Sequence, residues 1–152
     1  MVQSTRMPCG VHVDGQLPTG WAYGTEVGEA DLRIEGPSSS DGIETVVRVH
    51  VDAAAEPIEA SSLHLMQDIA RDRPAALLAN CELWPHRQWG DGRYIQSASV
   101  QGAFALAHDV YLFVSGARRV RVEVDCSLAQ LLAVEEAVAT IVGRLRFDEV
   151  AR

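Results

Sequence analysis

The residue types able to do acid–base or metal chemistry occur in three small groupings. His64 and Asp68 stand four apart where the pattern is helical, so a carboxylate could face and orient an imidazole for general-base work. No nucleophile or second histidine accompanies them, and a solvated helix pair is the simpler account. His50 and Asp52 lie two apart in an alternating stretch, hence on one strand face, and carry the same weight. Cys9-x-x-His12 has zinc-like spacing, but a zinc site needs a second pair, and Cys81 and Cys126 are isolated. No metal and no cofactor is expected. The chain has no G-x-S-x-G, and no glycine-rich phosphate loop in a strand–helix setting. All thirteen basic residues are arginine, which excludes a lysine Schiff base.

Residues suited to binding are more concentrated. "ELWPHRQWGDGRY" (82–94) holds two of the three tryptophans, with a tyrosine, a histidine and two arginines. Pro85 and the run Gly90-Asp91-Gly92 suit a reversal between two strands. The plain reading is a hairpin whose tryptophans cover an open sheet end. The functional reading makes Trp84, His86, Arg87, Trp89 and Tyr94 an exposed rim, because Trp, Tyr and Arg are the usual anchors of interface hot spots. On that reading Trp89, nearer the turn, is exposed and dispensable for stability.

Composition bounds the rest. The 152 residues are 47% apolar and 22% charged, enough for one soluble domain with a sizeable core. A net charge of −8 repels phosphates and anionic headgroups, so neither nucleic acid nor an anionic lipid surface is an expected partner. Three cysteines do not read as a disulfide framework, although one bridge and one free thiol stay open. Residues 1–15 lack an apolar signal core, and no stretch approaches the eighteen apolar residues of a membrane span. The chain as written is therefore expected in the cytoplasm, or exported if a signal was trimmed.

The elements that must position these residues follow from periodicity. Segments 31–36 and 44–52 alternate as strands, the second with Val47, Val49 and Val51 on one face and Val46, Arg48 and His50 on the other. Pro57 suits the first turn of a helix whose apolar face is Ile58, Ser62, Leu65, Met66 and Ile69, closed by "RDRP" at Pro74. Four strands follow at about 76–84, 93–100, 104–115 and 118–126, with short connections that imply an antiparallel meander. The third is apolar on both faces and should be the most buried. Ser127 and Gln130 form a capping-box pattern for a final helix with Leu128, Leu131, Leu132, Val138, Ile141, Val142 and Leu145 on its apolar stripe. Residues 1–10 and 149–152 read as tails around one α+β domain, 11–148, in which helices pack on a single antiparallel sheet.

Over residues 11–148 the chain resembles the PsbP-like superfamily, which includes the Ran-binding Mog proteins, DcrB-type domains and actinobacterial LpqN-type lipoproteins. The resemblance rests on "LPTGWAY", the helix ending in "RDRP", the "WGDGRY" reversal and "RVEVDCSLAQLL…IVGRLRF". "RMPCG" around Cys9 lacks the apolar run of a lipobox, so lipidation does not carry over. The resemblance implies a non-catalytic binding or assembly module, with a protein partner or a small apolar ligand. The alternative is a hot-dog-type thioesterase-like enzyme, with His64 and Asp68 on its central helix.

Overall fold

Strict alternation sets the two faces of the sheet. On β4 (Val46–Ala53), Val47 and Val49 are wholly buried, while Arg48 and His50 point to the opposite face. On β8 (Arg118–Ser127), Val120, Val122 and Val124 are buried, and Arg119, Arg121, Glu123 and Asp125 face away. These two strands pair along eight residues, Val47 opposite Val124 and Val49 opposite Val122, so the valines form one continuous apolar floor. The computed structural model describes residues 10–25, 28–73 and 75–148. Cys9 and Pro74 lie outside the described residues, as does nearly all of both expected tails.

The remaining elements are β1 (Val11–Val13), β2 (Ala22–Tyr23), β3 (Leu32–Glu35), α1 (Ile58–Asp72), β5 (Leu77–His86), β6 (Gly90–Gln101), β7 (Phe104–Ser115), α2 (Leu131–Gly143) and β9 (Leu145–Phe147). Seven strands form one antiparallel sheet in the order β2-β3-β4-β8-β7-β6-β5. The expected α+β class and the β5–β8 meander are both present. β7 is buried on both faces over most of its length, as its unbroken apolar run implied. A two-stranded ladder of β1 with β9 brings the two ends of the domain together.

The helices lie on opposite faces. Val134, Val138, Ile141 and Val142 of α2 pack on the valine floor with Phe113, Tyr111 and Trp89. α1 covers the other face, against β6 and β7, where Ile95, Val110 and Leu112 are buried with its Ile69. Ser61 and Ser62 are also buried on α1, with Leu65 and Met66 partly so. A sheet with one helix on each face is not a hot-dog sheet wrapped around a single helix.

Several boundary details differ from expectation. Pro57 is the N-cap of α1 rather than its first helical residue. Ser127 makes no capping hydrogen bond; a 3-10 turn, Leu128–Gln130, separates it from α2, and its hydroxyl lies 3.4 Å from Asp41 Oδ2. Within α2, Leu132 stands three and four residues before the exposed Glu135 and Glu136, on the side away from Val134, Val138, Ile141 and Val142, so it points to solvent at 83% exposure instead of joining the apolar stripe.

Candidate functional site

The aromatic hairpin is mostly core. Its reversal falls at residues 87–89, three positions before the expected glycine run, with Gly90 (φ 77°) as the residue that needs the left-handed region. His86 builds this turn. Its Nδ1 accepts the backbone N–H groups of Gln88 and Trp89 at 3.1 and 3.2 Å, which leaves the Nε2–H to donate to the Val142 carbonyl at 3.0 Å. Burial lowers the His86 pKa, opposed by the Val142 bond and helped by Arg146. The neutral ring therefore ties the hairpin to the C-terminal part of α2.

Trp89 stacks on His86 at 4.3 Å and also packs on Phe113 and Phe147. It is 6% exposed and His86 is 4% exposed, which corrects the expectation that both stand on an exposed rim. Arg87 is exposed at the turn, while Trp84 and Tyr94 are half-buried. Of the five residues, Trp84 and Tyr94 share a cleft and the other three do not join it.

That cleft, about 280 Å³, lies between the end of the sheet and α2. Glu82 and Trp84 come from β5, Tyr94 and Gln96 from β6, Tyr111 from β7, and Glu135 and Ala139 from α2. Register aligns them: Glu82 is opposite Tyr94, and Tyr94 is opposite Tyr111. Tyr111 meets the edge of Trp84 at 5.2 Å and tilts against Tyr94 at 4.9 Å. The Tyr94 hydroxyl donates to Asp109 Oδ2 at 2.7 Å and accepts from Gln96 Nε2 at 3.0 Å. Burial first, then the neighbouring carboxylates, raises both tyrosine hydroxyls above their ordinary pKa. Burial likewise raises Asp109, against the pull of Tyr94 and Gln96.

A larger open cleft, about 700 Å³, lies on the opposite face between α1 and strands β3, β4 and β8. Its charges neutralise one another. Asp125 takes His108 Nδ1 at 2.7 Å and Arg48 at 3.1 Å. Glu123 lies 3.3 Å from Arg121 Nε and 3.5 Å from His50 Nε2, ion-pair contacts rather than aligned hydrogen bonds. His50 is the main reason the Glu123 carboxyl is held at about 2, against its burial, with Arg121 and His108 adding to the effect. His50 thus partners Glu123, while Asp52 pairs with Arg119 at 2.9 Å.

The His64–Asp68 pairing does not form. His64 Nδ1 sits 2.8 Å from Glu56, and Asp68 pairs with Arg71 at 2.9 Å, all near solvent. Sequence reasoning missed His108 with Asp125. Asp125 was visible on an alternating strand and His108 on the double-faced apolar one, but their meeting depends on the β7–β8 register. Cys81 is exposed and Cys126 buried, both as free thiols.

No family model and no curated protein sequence matches the chain. Solved structures do match. LpqN, involved in cell envelope biogenesis of Mycobacterium tuberculosis, superimposes with a TM-score of 0.68 at 10% identity, covering 93% of this chain and 86% of that one. Cyanobacterial PsbP (CyanoP) from Synechocystis sp. PCC 6803 gives 0.61 at 9% identity, over 97% and 98% of the two chains. The Ran-binding protein Mog1p of Saccharomyces cerevisiae gives 0.58 at 11% identity, over 86% and 87%. The chain has the PsbP/Mog1-like α+β fold, as the sequence resemblance implied. At these identities the likeness is one of fold.

Proposed function

We propose that the chain is a non-enzymatic binding module that receives a protein partner along β5, the outer strand at the aromatic end of the sheet. One observation carries this reading. β5 runs for ten residues at the edge of the sheet, exposed except at Trp84 and His86, with Leu77 68%, Leu78 40% and Leu83 62% exposed. Unpaired strand edges are templates for strand addition, in which main-chain hydrogen bonds give affinity and alternate side chains give specificity. The irregularity between Leu78 and Asn80 shifts the alternation, so Leu78 shares a face with Cys81 and Leu83. Mog1p, of the same fold, is a Ran-binding protein, which supports a binding role without naming a partner here.

The test is site-specific photo-crosslinking from residue 83, with residue 132 on the outside of α2 as the control position. The adduct found at 83 and absent at 132 is then reconstituted from purified components. Leu83→Arg should weaken that complex by roughly 2 kcal/mol or more while leaving melting unchanged. Adducts equal at both positions, or an adduct only with a second copy of the chain, would overturn the reading.

A further inference from the structure

We propose that the cleft between β5, β6 and α2 binds an organic cation of the alkylammonium class. This cleft is separate from the β5 edge, since it lies on the α2-covered face of the sheet end. Glu123, Asp125 and Asp52 each have an arginine or histidine partner. Glu82 and Glu135, exposed on opposite sides of this cleft, make no ion pair among the described residues, and no basic residue lines it. An anion entering here would meet repulsion from both walls.

Between the two glutamates stand the rings of Trp84, Tyr94 and Tyr111. Aromatic faces attract cations through their quadrupole, Trp most strongly, and rings combined with carboxylates are the usual solution for quaternary ammonium groups. Beneath them lies Asp109, opposite Gln96 in register and 4% exposed. Its Oδ2 is taken by Tyr94, but its Oδ1 is buried with no hydrogen-bond partner. Asp109 is not itself a wall of the cleft; it acts there by holding the Tyr94 hydroxyl and so fixing that ring. The cleft volume of about 280 Å³ suits a head group rather than a drug-sized molecule.

The probes are choline and tetramethylammonium, with 3,3-dimethyl-1-butanol as the neutral isostere of choline. The full chain is titrated while the indole resonance of Trp84 and the tryptophan fluorescence are followed. Saturable binding of choline is expected, about tenfold tighter than the uncharged isostere. Glu82→Gln and Glu135→Gln, both at exposed positions, should each weaken choline several-fold with no change in melting. Equal binding of the isostere, binding unaltered in both variants, or no response of the Trp84 indole would overturn the proposal. A trimethyl-lysine peptide separates two sources of the same chemistry. Tighter binding than choline means the cation arrives on a partner's side chain, and weaker binding means a free small molecule. Loss of the β5 complex in Leu83→Arg with choline binding intact would show that the two sites are independent.

Discussion

The ring of Phe113 occupies the space in which residue 92 would carry a Cβ: an atom built on Gly92 falls 2.4 Å from that ring and 2.7 Å from the Leu112 carbonyl oxygen. Gly92 is buried and its backbone is not in the left-handed region, so the requirement there is steric. Trp84, opposite Gly92 on β5, meets the same Phe113 ring at 5.9 Å. Gly92→Ala should therefore cost about 3 kcal/mol, the upper end for overpacking, because backbone blocks one direction of escape. Urea melts measure it, and a change under about 0.5 kcal/mol would mean the two strands part easily.

Trp89 and Leu132 should exchange the roles their positions in the chain suggest. Trp89→Ala removes a ring 6% exposed and stacked on His86, with an expected loss of about 3–5 kcal/mol. Leu132→Ala, at 83% exposure, should stay within about 0.5 kcal/mol of the parent. Ile141→Ala, wholly buried on the same helix, is the positive control at about 2–5 kcal/mol. Denaturant midpoints of the three variants decide this, and a stable Trp89→Ala would remove the turn from the core.

Acid stability should depend on Glu123. Its carboxyl titrates ordinarily at 4.5 and is held at about 2 in the fold, chiefly by His50. A depressed carboxyl stabilises the fold fully above the unfolded value and loses that contribution as the pH falls through the folded one. The melting-temperature gap between the parent and Glu123→Gln should therefore be widest above pH 4.5 and close toward pH 2. Calorimetry across that range gives the answer, and a gap independent of pH would show that Glu123 is not held by this network.

The two described thiols should differ sharply in reactivity. Cys81 is exposed on β5, whereas burial pushes the Cys126 thiol up to about 12, aided by Asp109 and Asp125. In a Cys9→Ser background, a thiol reagent at neutral pH should consume one equivalent in the native protein and a second only on unfolding. Rapid native labelling of Cys126, read by peptide mass, would contradict its burial under α2.

Much of the fold was legible in local pattern. Alternation on β4 and β8 identified the buried valines, short connections identified the β5–β8 meander, and the double-faced apolar run identified β7. These features are determined within a few residues: strand geometry alone sends alternate side chains to opposite faces, and a short loop leaves only an antiparallel return. The apolar face of α1 was readable for the same reason.

Tertiary structure decided what each face would meet. β4 pairs with β8 across an intervening helix and three strands, and only that closure brings His50 to Glu123 and Arg48 to Asp125. The hairpin shows the limit most clearly. Gly90-Asp91-Gly92 has the chemistry of a reversal, yet the chain turns earlier because the His86 ring satisfies the turn amides and Trp89 finds a pocket between Phe113 and Phe147. Leu132, three and four residues before the exposed Glu135 and Glu136, takes the solvent side of α2, because Val134, Val138, Ile141 and Val142 are the residues that dock. Local sequence sets which residues share a face; whether that face ends in core, cleft or solvent depends on partners distant in the chain, and packing selects them.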